Sequence, residues 1–99
     1  MKPYLILNFK SYKASTGKEL TRLLEICERA AQDSSVSVYA ALPATELYRA
    51  RDYRHVKIIA QHFDPVHDCA CTGSIYLSAL KDHGVSASLL NHSEKRISF

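Results

Sequence analysis

Four short apolar runs, separated by more polar segments, constrain this sequence more than any other feature. They cover residues 4–9, 36–41, 56–62 and 87–91. Apolar runs of this length are typical of strands that are buried on both faces of a parallel sheet. Strands that alternate with helices predict a parallel α/β fold with right-handed crossovers. The predicted element order is β-α-β-α-β-α-β, with a fourth helix beginning near the last residues.

Helix signals fill the segments between these runs. Thr16 and Glu19 have the spacing of a capping box, and the apolar residues that follow them form one stripe at helical spacing. A second, shorter helix is predicted to begin at Pro43, a residue suited to a first turn. A third helix is predicted over residues 74–82, with Gly84 in the position that follows its last turn.

The length of the chain bounds its domain organisation. With 99 residues, 46% apolar and 23% charged, residues 1–99 predict a single globular domain. No apolar run approaches the roughly 18 residues of a membrane span, and the first residues lack the apolar core of a secretory signal. We therefore expect a cytoplasmic protein without a membrane partner.

The three cysteines predict no disulfide framework. Their number is odd, and Cys69 and Cys71 are separated by one residue, so we expect reduced thiols. Cys27 lies on the apolar stripe of the first helix and is expected to fill the core. His62 and His67 lie near the cysteine pair, which raises the alternative of a zinc site. Structural zinc sites usually place two to four residues between cysteines, so no metal is expected.

Basic residues cluster over residues 49–55, and the net charge is +3. A nucleic-acid patch is one interpretation of this cluster. The solvated end of a helix is the other, because cations are favoured near a helix C-terminus. No basic stripe recurs elsewhere in the sequence, so no nucleic-acid partner is expected.

Polar side chains suited to handling negative charge stand at two predicted strand ends. Asn8 and Lys10 follow the first run, and His92 follows the fourth. Functional residues of parallel α/β sheets gather at the carboxyl ends of strands. A helix beginning after His92 would keep its imidazole neutral, so the three groups could stabilise an enolate-like oxyanion. A solvated lysine and a hydrogen-bonded structural histidine are the plain alternatives, and the residues alone leave them open.

Two longer motifs carry a resemblance to a known family. Asn8-Phe9-Lys10-Ser11-Tyr12 resembles the motif that closes the first strand of triose-phosphate isomerases, and His92-Ser93-Glu94-Lys95-Arg96 resembles the segment after their fourth strand. The intervening Ala60-Gln61-His62-Phe63-Asp64-Pro65 and Thr72-Gly73 are similar to the short archaeal-type branch. The resemblance runs through all 99 residues in order. A flavodoxin-like or regulatory α/β domain has less support, because no glycine-rich loop follows the first run.

The resemblance implies a fold, a reaction and a set of roles. The fold would be the N-terminal half of a (β/α)8 TIM barrel, a partial domain with strands one to four. Family enzymes interconvert dihydroxyacetone phosphate and D-glyceraldehyde 3-phosphate through an enediolate, in glycolysis and gluconeogenesis, without cofactor or metal. Lys10 would bind substrate and stabilise the enediolate oxygen, and His92 would polarise the carbonyl and shuttle protons. Asn8 would orient substrate and Lys10, and Glu94 would be a partner of that lysine.

The resemblance also gives the long loop before the third helix a role. In the family this loop reaches a neighbouring subunit, and Thr72 is the matching contact position, which implies a homo-oligomer. The segment Asp68-Cys69-Ala70-Cys71 departs from the family pattern at this point.

The resemblance places the base, the lid and the phosphate loops in a second half that these residues do not match. A whole barrel takes about 250 residues. We therefore expect a truncated chain or one half of a split enzyme, inactive alone. The open first and fourth strands predict self-association or pairing with a complementary half barrel. The alternative is a non-catalytic half-barrel assembly module that needs a complementary chain.

Overall fold

The computed structural model describes residues 2–97, in which three parallel strands form one sheet. The strands are β1 (Tyr4–Asn8), β2 (Ser37–Leu42) and β3 (Lys57–Ala60), in the order β1-β2-β3. Tyr4 is aligned with Ser37 where β1 meets β2. The parallel α/β class predicted from the apolar runs is confirmed, and the sheet is not closed within the described residues.

Helix α1 (Gly17–Asp33) covers one face of the sheet with the apolar stripe predicted from the sequence. Its buried residues, including the predicted core residue Cys27, are Leu20, Leu24, Cys27 and Ala31. Thr16 precedes the helix as expected, but the capping-box hydrogen bonds are not made. The Thr16 hydroxyl donates instead to the carbonyl oxygen of Lys13 at 3.1 Å, and the Glu19 carboxylate pairs with Arg22.

The second predicted helix is a 3-10 helix (Ala44–Asp52), and its basic residue Arg49 is buried. Arg49 Nε lies 3.0 Å from Glu46 Oε1, while its other nitrogens donate to Thr21 Oγ1 at 2.7 Å and to the Gly17 carbonyl at 3.1 Å. The guanidinium therefore joins this helix to the start of α1. Neither interpretation of the 49–55 cluster, the nucleic-acid patch or the solvated helix end, therefore holds at Arg49.

Helix α2 (Leu77–Asp82) is shorter than the predicted 74–82, because the residues before it are held by the long loop. The Ile75 N–H donates to Asp64 Oδ2 at 2.8 Å, and the Asp64 N–H donates to the Ile75 carbonyl at 2.6 Å. The helix ends as predicted at Gly84, which has φ 78°. The Gly84 N–H donates to Lys81 O and the Val85 N–H to Leu80 O, the two bonds of a Schellman motif.

The predicted fourth strand is reduced to a single parallel bridge between Ala60 and Ser88. The Ala60 N–H donates to Ala87 O at 3.0 Å, and the Leu89 N–H donates to Ala60 O at 2.9 Å. Asn91 then adopts φ 57°, a left-handed conformation that an extended strand cannot contain. The predicted fourth helix falls partly on residues 98 and 99, which lie outside the described residues; residues 93–95 form a turn.

Strand β1 is an open edge of the sheet, as predicted, but the prediction that it is buried on both faces is wrong. Tyr4, Leu5 and Ile6 are 66%, 47% and 56% exposed. Only β2 pairs with β1 in the described part of the chain. No helix among residues 2–97 is long and apolar enough to cross a membrane.

Candidate functional site

A cleft of about 600 Å³ lies at the carboxyl ends of the strands. The first predicted motif contributes Asn8 and Lys10 to its lining, and the second contributes His92 and Glu94. The parallel register brings the ends of β1 and β3 to one edge of the sheet, and the bridge at Ser88 carries the second motif to the same edge. Two segments that are distant in sequence therefore share one site.

Lys10 and Glu94 make the direct contact between the two motifs. Lys10 Nζ lies 3.5 Å from Glu94 Oε2, with the side chains 38% and 62% exposed. The ammonium is therefore reachable from the cleft and is only partly neutralised by a carboxylate that solvent also reaches.

The backbone of Lys10 is held in an unusual conformation by two neighbouring amides. Its φ is 55°, a left-handed value that costs a non-glycine residue about 1 kcal/mol or more. The Lys10 N–H donates to Asn8 Oδ1 at 3.0 Å. The Gln61 amide donates to the carbonyl oxygens of Lys10 at 2.9 Å and Ala41 at 3.1 Å. Gln61 was not predicted to be a site residue; its position at a strand end is the sequence signal that could have found it.

His92 is held in one tautomer by the backbone of the next residue but one. The Glu94 N–H donates to His92 Nδ1 at 3.0 Å, a bond that needs the lone pair of an unprotonated nitrogen. The Glu94 carboxylate oxygen lies farther from the same nitrogen, at 3.7 Å, so the shorter hydrogen bond decides the assignment. In the neutral ring this bond places the hydrogen on Nε2. The ring was predicted to lie at a helix N-terminus; it lies at a turn closed by the Lys95 N–H and the His92 carbonyl.

Comparison with known proteins agrees with this geometry. The family model described as triosephosphate isomerase matches residues 3–99. This chain belongs to the triosephosphate isomerase family. A triosephosphate isomerase of Methanothermus fervidus is 38% identical over 96 residues, which are 97% of this chain and 43% of that relative. The triosephosphate isomerase of Methanothermobacter thermautotrophicus is 39% identical over 95 residues, which are 96% of this chain and 42% of that relative. The triosephosphate isomerase of Saccharolobus solfataricus is 38% identical over 95 residues, which are 96% of this chain and 42% of that relative.

These relatives confirm the resemblance and bound its extent. The chain spans less than half of the length of the curated triosephosphate isomerases that it matches. The open sheet agrees with the N-terminal part of the family's barrel.

A second histidine, His62, lines the cleft but is tied to a carboxylate. His62 Nε2 lies 2.8 Å from Asp64 Oδ1, and the His62 side chain is 14% exposed. The Ile75 N–H and then the His62 ring lower the pKa of Asp64 below its ordinary value. Within residues 2–97 no three His, Cys, Asp or Glu side chains are grouped so that they could hold a metal ion.

The predicted interface residue Thr72 is exposed, in a turn beside the cleft. The Ser74 N–H donates to the Cys71 carbonyl at 3.0 Å, and Gly73 has φ 87° and lines the cleft, while Thr72 is not among the lining residues. The interface role of Thr72 stays a prediction.

Cys69 and Cys71 are joined by a disulfide, so the prediction of reduced thiols at this pair is wrong. The bent loop brings their Cα atoms to 5.3 Å, inside the usual disulfide range of about 4.4–6.8 Å. One intervening residue therefore does not prevent the bond.

Proposed function

We propose that this chain provides the electrophilic part of a triose-phosphate isomerase site. The reaction would interconvert dihydroxyacetone phosphate and D-glyceraldehyde 3-phosphate in glycolysis and gluconeogenesis, in the cytoplasm. The observation that carries the proposal is the single cleft shared by Lys10 and His92, with Glu94 contacting both. Family membership and the names of the relatives support it.

Each group has a role that follows from its chemistry. The Lys10 ammonium would attract the phosphate and stabilise negative charge on the enediolate oxygen. His92, with Nδ1 occupied by the Glu94 N–H, would donate from Nε2 to the substrate carbonyl. Asn8 would hold Lys10 through the bond to its N–H and would orient substrate in the same cleft. Because the reaction moves only protons, the proposal requires neither cofactor nor metal.

Proton abstraction would require a carboxylate from outside the described site. Two carboxylates, Asp64 and Glu94, line the cleft. Asp64 is engaged by Ile75 and His62, and its lowered pKa makes it a poor base. Glu94 is engaged by Lys10. We therefore propose that the 99 residues alone have no appreciable isomerase activity, and that the base is the glutamate that the family carries in its second half.

The partner would be a complementary half barrel, or a second copy in a homo-oligomer that Thr72 contacts. The exposed residues of β1 support such pairing, because an open strand edge with apolar side chains is a template for another chain. If the assembled pair is inactive, this chain would instead be the non-catalytic half-barrel module. Neither nucleic acid nor membrane is proposed as a partner.

A coupled isomerase assay tests the proposal with two protein samples. The first is the 99-residue chain alone, and the second is this chain mixed with the portion of the Methanothermus fervidus relative that it does not match. We expect turnover only in the mixture, and a loss of about 100-fold or more when His92→Gln replaces the parent chain. The same substitution should leave the elution of the mixture on size exclusion unchanged.

The outcomes separate the alternatives. Turnover near that of the relatives by the chain alone would overturn the need for a partner. Turnover in the mixture that survives His92→Gln would overturn the role of His92. A stable mixture without turnover would favour the assembly-module alternative.

A further inference from the structure

We propose that Cys69 and Cys71 form a reversible thiol–disulfide exchange site, which reacts with small thiols of the glutathione class and sets the conformation of the Thr72–Gly73 turn. The inference is independent of the proposed isomerase function, since it rests on the cysteine pair and on the loop that contains it.

The disulfide is open to attack from solvent. Cys69 is exposed and Cys71 is half-buried. Both line a surface cleft of about 310 Å³, which they share with His67, Ser74 and Tyr76. This volume is at the lower end of the range of small-molecule sites, about 300–1,000 Å³. A small thiol can therefore lie beside the sulfur atoms, with an aromatic ring and polar groups around it.

The disulfide closes only a small covalent ring, which favours its exchange with other thiols. A disulfide stabilises a fold mainly through the loop that it closes, and this one encloses a single residue, Ala70. Exposed disulfides that close little structure belong to the labile class. The bond therefore contributes little to holding the fold together and can be broken without unfolding it.

The exchange would proceed in two balanced steps. A small thiolate attacks the more exposed Cys69 sulfur, the disulfide breaks, and its electron pair leaves on the Cys71 sulfur, which takes a proton from water. A second small thiolate attacks the sulfur of the first in the resulting mixed disulfide. Cys69 leaves as a thiolate and is protonated. The protein disulfide is reduced by two electrons, and two small thiols are oxidised to one small disulfide.

Reduction of the disulfide should alter the tip of the loop but not its base. The base is closed by the two hydrogen bonds between Asp64 and Ile75, which the cysteines do not touch. The tip is the turn in which the Cys71 carbonyl accepts the Ser74 N–H, and its Gly73 lines the main cleft. Reduction releases the constraint on Cys71, so the turn should loosen while the base persists.

Cys27 supplies an internal control. Among residues 2–97 it is the free cysteine, it lies on the buried face of α1, and burial raises the pKa of its thiol. Buried thiols in apolar surroundings are inert. Labelling of Cys27 in the native protein would therefore report unfolding and not exchange.

The test equilibrates the full chain in glutathione buffers from fully reduced to fully oxidised, followed by labelling with N-ethylmaleimide and mass spectrometry. We expect two labels on the Cys69–Cys71 peptide under reducing conditions, none under oxidising conditions, and full reversal. Cys27 should be labelled only after denaturation. Hydrogen exchange of the Ser74 amide should be about tenfold faster in the reduced protein, while that of Ile75 should be unchanged.

The double variant Cys69→Ser, Cys71→Ser should show the amide hydrogen-exchange rates of the reduced protein in both the reducing and the oxidising buffer. For the parent protein, two labels on the Cys69–Cys71 peptide at every buffer ratio, or none at any ratio, would overturn the proposed site. Equal exchange of the Ser74 amide in both redox states would overturn its effect on the turn.

Discussion

Lys10 Nζ lies 3.5 Å from Glu94 Oε2, although 84 positions separate the two residues in the sequence. The pair connects the end of β1 to the segment that follows the bridge at Ser88. Both side chains are partly solvated, so the pair defines the geometry of the cleft more than it stabilises the fold.

Glu94→Gln should therefore change the free energy of unfolding by less than about 1 kcal/mol. The bond from the backbone N–H of residue 94 to His92 Nδ1 should persist, because the side chain does not make it. Urea denaturation and the nitrogen chemical shifts of the His92 ring measure the two effects. Glu19→Gln, which breaks the exposed pair with Arg22, is the matched control. A large stability loss specific to Glu94→Gln would contradict this account.

Gln61→Leu should destabilise the protein by about 1–3 kcal/mol, because two carbonyl acceptors lose their donor. It should also release the left-handed backbone of Lys10, which the three-bond coupling of its amide proton reports. Gln32→Leu, on the exposed face of α1, is the control. Equal urea midpoints for the two variants would show that the Gln61 bonds contribute nothing to stability.

Arg49→Met should cost about 3–5 kcal/mol, because it leaves Glu46 buried without its cation. A domain at the lower end of ordinary stability, about 5 kcal/mol, would then be close to unfolding at room temperature. Adding Glu46→Leu should recover part of the loss by removing the unpaired carboxylate. Arg51→Met, at an exposed position of the same 3-10 helix, should be nearly neutral. Thermal unfolding of the four proteins checks the order.

Glu28 predicts how stability depends on acid pH. Burial raises the pKa of Glu28, but the N–H groups of Val56, His55 and Arg54, together with the His55 ring, outweigh it and lower the pKa from 4.5 to about 2. The folded protein thus favours the carboxylate, and the stabilisation is present above the ordinary pKa and lost as the pH falls from about 4.5 towards 2. The partly exposed side chain limits the effect to about 2 kcal/mol.

Glu28→Gln should remove this contribution at pH 7 and flatten the loss of stability in acid. Urea midpoints at pH 7, 5 and 3 would measure it. The exposed Glu25→Gln on the same helix should leave the profile of the parent protein intact. Parallel profiles for the parent and Glu28→Gln would rule out the assigned role of Glu28.

Local patterns in the sequence were sufficient for much of the fold and for the candidate site. The apolar runs located β1, β2 and β3, and the stripe through Cys27 located α1. Gly84 could be predicted to end α2, because the left-handed conformation that it adopts is a local helix-ending signal and needs no distant partner. Lys10 and His92 came to one cleft because parallel strands align their carboxyl ends.

The features that depend on distant contacts could not be found in this way. Arg49 is buried because Glu46, Thr21 and Gly17 supply acceptors on two different elements, a property that its position in a basic cluster does not indicate. Strand β1 has the composition of a strand buried on both faces, yet its residues Tyr4, Leu5 and Ile6 are exposed. The same apolar pattern fits either environment.

An NMR titration of this chain with dihydroxyacetone phosphate tests most directly whether Lys10, Asn8 and His92 form one binding site for a triose phosphate. We predict saturable shifts at these three residues, with an affinity about tenfold lower in Lys10→Met and unchanged in Lys13→Met. Shifts that map elsewhere, or that keep the same affinity in Lys10→Met, would contradict the account.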